Sequence, residues 1–268
     1  MTRADPPRTH RVVSPPILYA GTPVILLASL NDDGTPNLAP ASSYWALGRM
    51  LALGLETEGQ TLANLEERPQ VTVSFPSPPL WSAVERIADL TGRPEVPAAK
   101  AGRYTHRADK FAAAGLTPQA SDLVGPPRVA ECLLQLEAEV RRITPGVTGE
   151  YAIAEAEVVR VHADHRIVAD GDHIDPLAWQ PIVYSFRHYF GIGEPLGPRG
   201  SAPAATVPAE AETESGGSEP ASAFDVDAWE LWEVGGDSAC WLASVCPECG
   251  AMRDGDGPCP RCDADPPE

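Results

Sequence analysis

The sequence predicts a mainly β protein built on an antiparallel barrel, with few helices and a small separate module at its C-terminal end. Three observations predict it. Short apolar runs rich in Val, Ile and Leu recur between Gly, Pro and Asp punctuation, and near-neighbour runs are joined by short connections. Two long segments, Cys132 to Val140 and Tyr151 to Val161, alternate or run apolar like strands and meet through Thr144-Pro145-Gly146. A chain of 268 residues that is 43% hydrophobic also carries enough apolar side chain for a sizeable core.

Met1 to Pro16 reads as an irregular lead-in, because Pro6-Pro7 and Pro15-Pro16 oppose regular structure. Strands are expected at Val24 to Leu30, about Asn37 to Ala46, Met50 to Leu55 and Val71 to Phe75. Asn31-Asp32-Asp33-Gly34-Thr35-Pro36 is a hairpin signal between the first two, and Thr61 is an N-cap candidate for a short helix through Glu67. Pro76-Ser77-Pro78-Pro79 stops the fourth strand, and the spacing of apolar residues predicts a helix over Trp81 to Leu90. Thr91 to Gly125 is expected to be mostly loop with a short helix around Asp109 to Ala114. A loop that long in a compact domain commonly covers a site. A short strand near Arg166 to Val168 should lead into a turn at Asp170-Gly171-Asp172. The aromatic run Pro181 to Phe190 suits packing against a partner subunit or a flat ligand.

The formal charge of -18 and pI near 4.6 argue against nucleic-acid backbones and anionic membrane surfaces as partners. Most of it lies in Gly197 to Glu268, where fifteen acids face three bases. No run of about eighteen apolar residues occurs, and Met1 to His10 lacks a signal-peptide core, so a cytoplasmic protein is expected. Residues 1–196 are read as the barrel, 197–223 as a disordered acidic linker of Pro, Ala, Glu and Ser, and 224–268 as a zinc-ribbon-like module.

That module carries Cys246-Pro-Glu-Cys249-Gly and Cys259-Pro-Arg-Cys262, two knuckles able to close a tetrahedral thiolate site. A structural Zn2+ held by Cys246, Cys249, Cys259 and Cys262 is expected, with iron as the competing metal. Disulfides suit a reducing cytosol poorly.

The chemistry of the main domain gathers between Asn31 and Asn64. Ala39-Pro40-Ala41-Ser42-Ser43 is too small and polar to fill a core. Pro40 removes a ladder donor, which suggests a strand edge or bulge with backbone N–H groups free for a ligand. The helix N-terminus at Thr61, with Asn64 nearby, suits an anion such as phosphate. The plainer alternative is that Ser42 and Ser43 are turn polars and Thr61 a simple cap.

Five stretches, in order and spacing, carry a resemblance. They are Asp33-Gly-Thr-Pro-Asn-Leu-Ala-Pro-Ala-Ser42-Ser43, Thr61-Leu-Ala-Asn64-Leu65, Asp109-Lys-Phe-Ala-Ala-Ala-Gly-Leu-Thr-Pro118, Pro126-Pro-Arg-Val-Ala-Glu131-Cys132 and Glu157-Val-Val-Arg-Val-His162. Through them, about Pro15 to Gly193 resembles the flavin reductase-like family with an FMN-binding split barrel, and within it the flavoredoxin-like branch. The resemblance implies a six-stranded antiparallel barrel, a homodimer and one FMN per subunit near the dimer interface. It implies that Ser42, Ser43, Thr61 and Asn64 hold the phosphate or ribityl chain, and that the backbone at Pro40 and Ala41 faces the ring. The activity implied is a flavin reductase-type oxidoreductase, with NAD(P)H or a redox partner protein as donor; the alternative is a flavin-binding electron carrier without nicotinamide turnover.

Family members that use a nicotinamide often carry Gly-Asp-His where this chain has Gly149-Glu150-Tyr151, a departure that favours the carrier. Trp45, Tyr151, Arg187 and His188 are candidates for ring or substrate contacts, with the core an equal reading for Trp45. No residue is assigned a catalytic role. Cys132 is expected in the core.

Overall fold

In the computed structural model the described residues are 10–15, 17–169 and 171–195. The linker, the 224–268 module and all four clustered cysteines fall outside them.

The organising element is a seven-stranded antiparallel sheet in the order β3-β2-β6-β11-β12-β5-β4. Its strands are β2 (Ile25–Leu30), β3 (Pro36–Ala41), β4 (Tyr44–Leu47), β5 (Met50–Glu56), β6 (Gln70–Phe75), β11 (Leu134–Pro145) and β12 (Tyr151–Ala163). The two edges, β3 and β4, are neighbours in sequence, parted only by Ser42 and Ser43. The sheet curls around one core, to which β2, β5, β6, β11 and β12 all contribute, including Ile25, Leu53, Val73 and Ala154. This is the split-barrel architecture.

The apolar patterns follow from what each strand covers. In β5, Leu51, Leu53 and Leu55 turn inward and alternate with outward residues. β2 is apolar but for Ser29 because it is covered on both faces. Ile25 and Leu27 join the inner core, while Leu26 and Ala28 pack under helices α2 (Trp81–Ala88) and α3 (Lys110–Ala114).

Small elements complete the frame: β1 (Ala20–Pro23) pairs with β13 (Val183–Ser185), which pairs with β14 (His188–Phe190). β7 (Leu90–Thr91) bridges β8 (Thr105–His106), and β9 (Pro118–Gln119) bridges β10 (Arg128–Val129). α3 forms as expected: Asp109 accepts from Ala112 N at its start, and Gly115 (φ 66°) ends it in the left-handed conformation.

Several expectations are corrected. The strand expected over Asn37 to Ala46 breaks into β3 and β4 at Ser42-Ser43, where the chain leaves β2 and pairs with β5. The sheet therefore counts seven strands, not the implied six. Helix α1 (Gln60–Glu67) is capped at Gly59, not Thr61, whose hydroxyl instead accepts from Asn37 Nδ2 at 3.2 Å. The strand expected near Arg166 is a 3-10 turn, His165–Ile167, because Asp164 captures the Arg166 N–H at 2.9 Å; Val168 keeps a lone bridge to Ile174. Cys132 lies in the core, as expected.

Candidate functional site

A cavity of roughly 820 Å3, counting the solvent at its mouth, opens along β3 from Ala39 to the Ser42-Ser43 corner. Its floor is poor in side chains: Ala39, Pro40, Ala41, Gly54 and Gly59 line it. Backbone therefore meets the space directly. One end is the first turn of α1, where Gly59, Gln60, Thr61 and Leu62 line the cavity and no side chain caps the helix. The unsatisfied N–H groups of such a turn favour an anion.

Over the cavity runs the segment from Leu90 to Lys110. Gly92 lies so close to β3 and α1 that a Cβ there would be 2.5 Å from Asn37 Oδ1 and 3.0 Å from Gln60 Cγ, which explains the glycine. Lys100 pairs with Glu56 and lies 5.3 Å from the centroid of the Tyr104 ring; all three residues line the cavity. Lys110 lines it too. Only 2% exposed, it has no hydrogen-bond or ion-pair partner among the described residues. Burial, with the charge of Lys100 nearby, pushes its ammonium down to about 8. A buried cation without a partner among the described residues and an uncapped helix start line the same cavity, and each suits a negatively charged group.

Of the residues singled out from the sequence, Pro40, Ala41, Ser42, Ser43 and Thr61 come together in this cavity. Asn64 sits behind it. Its amide is consumed within the protein: Nδ2 donates to Ser29 Oγ (2.9 Å) and Asn31 Oδ1 (3.1 Å), and Oδ1 accepts from Gln60 Nε2 (2.7 Å). Trp45, 55% exposed, lies outward on β4 opposite Ala52, and Tyr151 opens β12 with its ring over Gly146. Arg187 and His188 line a separate groove with Trp81, Glu85 and Phe190.

Sequence reasoning passed over Lys110, Lys100, Tyr104, Tyr19 and Gly54. Only Lys110 had a local signal, as a lone cation beginning an otherwise apolar helix.

A second cluster, Asp122, Glu137 and His162, has the donor types of a metal site. Its central carboxylate is already saturated. Glu137 accepts from the N–H groups of Asp122 (2.9 Å), Leu123 (2.6 Å) and Val124 (3.1 Å), and bonds His162 Nε2 at 2.6 Å. It clamps the loop before β10.

With this geometry in view the comparisons are decisive. The flavin reductase like domain matches residues 19–193. The chain belongs to the flavin reductase-like family. It is 42% identical over 192 residues to YdfE, an uncharacterized protein of Bacillus subtilis (strain 168), covering 71% of this chain and 93% of that one. Its fold is similar to that of the flavoredoxin of Desulfovibrio vulgaris (Miyazaki F), with a TM-score of 0.61 at 23% identity, over 72% of this chain and 98% of the other. A flavin reductase with a split barrel domain, given as putative, from Shewanella frigidimarina NCIMB 400 superposes with a TM-score of 0.56 at 19% identity, over 69% and 87%. Among the described residues no helix is long and apolar enough to cross a membrane.

Proposed function

We propose that this flavin reductase-like protein is an FMN-binding oxidoreductase. The observation that carries the reading is the cavity itself, whose lining brings together the small, backbone-rich stretch Ala39 to Ser43, the uncapped α1 turn and buried Lys110. These residues fit FMN: Lys110, Thr61 and the α1 turn would hold its phosphate, the backbone at Pro40 and Ala41 would face its ring, and Ser42 and Ser43, read from the sequence as phosphate or ribityl contacts, would stand with Gly54 where the ribityl chain meets the ring. Bound FMN supplies a centre that takes up and releases a hydride or electrons. This chain's residues bind and orient it, and the Leu90 to Lys110 segment excludes water. An absorption spectrum of the purified protein and an FMN titration test the reading; no flavin bound and none taken up overturns it.

A carrier without nicotinamide turnover is the second reading, favoured by Tyr151, which lies outside the cavity where the resemblance expected a histidine. A steady-state assay with NAD(P)H and free FMN separates the two.

The homodimer is likewise proposed. Trp45, Leu47, Met50, Tyr151 and Ile153 leave an exposed apolar face on β4, β5 and β12, continuous with the Ser43–Gly54 wall of the cavity. A second copy seated there would bury the face and complete the site. Equilibrium sedimentation of the protein and of Trp45→Asp checks it: dimer for the first, monomer for the second.

Residues 1–196 are proposed as the flavin domain and Cys246, Cys249, Cys259 and Cys262 as one structural Zn2+ site. Elemental analysis finding iron would replace the zinc reading.

A further inference from the structure

Tyr19 reaches the cavity from just before β1, and its phenol oxygen lies 2.6 Å from Ser43 Oγ; both residues line the space. Neither group is free to turn away. Ser43 is crowded by Gly54, whose N–H donates to the Ser43 carbonyl at 2.9 Å. The Tyr19 ring packs edge-on against Tyr184, with centroids 5.8 Å apart, and its carbonyl accepts the Phe186 N–H at 2.8 Å. Phe186 (φ 42°) and Arg187 (φ 69°) form the tight turn between β13 and β14 in a left-handed conformation that non-glycine residues adopt only at a cost. The small sheet β1-β13-β14 sustains that turn, and with it the anchor of Tyr19.

Two hydroxyls that share one hydrogen bond have two protons and spend one between them. Whichever oxygen donates, one proton is left to point elsewhere, and both residues line the cavity. Resting on the flavin reading above, we infer that Tyr19 is a positioning residue, holding the Ser43 hydroxyl so that the pair offers the bound flavin ring a single fixed hydrogen-bond donor. Such a donor faces an acceptor atom of the ring. Reduction enriches N1 and the carbonyl oxygens of the ring in electrons, whereas N5 gains a hydrogen and stops accepting, so a donor fixed on one of the former acceptors holds the reduced ligand more tightly than the oxidised one. The pair therefore favours reduction of the bound flavin without touching its phosphate.

The test titrates oxidised FMN in air and reduced FMN under anaerobic conditions against wild type, Tyr19→Phe, Ser43→Ala and the double variant. Tyr19→Phe keeps the ring that packs on Tyr184, and thermal unfolding checks that each variant is folded. The expected result is that each single variant loses roughly three- to tenfold more affinity for reduced than for oxidised FMN, the scale of one hydrogen bond. The double variant should lose no more than either single, because the two hydroxyls act as one unit. A Tyr19→Phe protein with an unchanged ratio of the two affinities, or additive losses in the double variant, overturns the inference while leaving the flavin assignment standing. A wild-type protein that binds neither form overturns both.

Discussion

Gly54 on β5 and Ser43 at the β3–β4 corner stand so close that a Cβ on the glycine would lie 2.7 Å from the serine Cβ. That contact is backbone-anchored on both sides, since Gly54 N–H donates to the Ser43 carbonyl. The neighbour cannot swing aside as the tip of a long side chain would. Gly54→Ala must therefore displace the corner that separates the two edges of the sheet. We expect a loss of about 1–3 kcal/mol in stability, as overpacking typically costs, together with weaker FMN binding. Thermal unfolding and FMN titration of this variant measure the two effects. Wild-type values in both would mean that the corner moves freely.

Thr61 and Asn64 lie three residues apart on α1 and are expected to behave differently. Thr61 borders the cavity, whereas Asn64, 1% exposed, joins α1 to Ser29 and Asn31. Thr61→Ala should weaken FMN binding by about 1 kcal/mol and, because Asn37 Nδ2 loses its buried acceptor, should also cost about 1 kcal/mol in stability. Asn64→Ala leaves buried partners unsatisfied and should cost about 1–3 kcal/mol in stability. Equal FMN losses from the two variants would return Asn64 to the ligand.

What the sequence makes legible here is what neighbours in sequence decide. The hairpin at Asn31 to Pro36, the Asp109 cap and the backbone-rich stretch Pro40 to Ser43 each announce themselves locally. The Ser42-Ser43 break was not legible, because it depends on β3 and β4 pairing with different strands. The partners of Asn64 were hidden for a related reason. Its type and position suit a ligand, but Ser29 and Asn31, more than thirty residues away, take its hydrogen bonds. Lys110 showed locally only as a lone cation opening an apolar helix, since nothing in Lys110-Phe-Ala-Ala-Ala says that its side chain is buried against the cavity. Tyr19 had no local signal at all.

Glu137 should report on the loop before β10. Burial pushes its carboxyl up, but the N–H groups of Asp122, Leu123 and Val124, and His162, outweigh that and leave it below the usual 4.5. A carboxylate with a lowered folded value adds stability that is present above its unfolded value and lost as pH falls through the folded one. Arg128 Nε lies 3.7 Å away and would lose its partner too. Glu137→Gln should cost about 3 kcal/mol at pH 7, and the deficit should shrink as both proteins are taken below pH 4.5. Denaturant unfolding across that range checks the trend; a pH-independent deficit would mean the charge contributes nothing.

Lys110 joins the stability of the protein to its ligand. Its folded value of about 8 lies below the unfolded value of 10.5, so the unfolded chain binds more protons between those limits. Stability attributable to this group therefore rises as pH increases from 8 to 10.5, and the full penalty, on the order of 3 kcal/mol, stands below pH 8. Lys110→Met removes the penalty, so the ligand-free variant should be more stable than wild type at pH 7, with the gap closing toward pH 10.5. A bound phosphate reverses the order, because it partners the buried charge. Wild type should bind FMN at least tenfold more tightly than the variant at pH 7, as a charge-assisted hydrogen bond does, and should lose that advantage as pH rises through about 8. Riboflavin, which lacks the phosphate, should bind the two proteins alike. Paired titrations with FMN and riboflavin at pH 7 and pH 9 give the comparison. Equal FMN affinity in wild type and Lys110→Met at pH 7 would remove Lys110 from the phosphate end of the site and leave its burial without a functional reason.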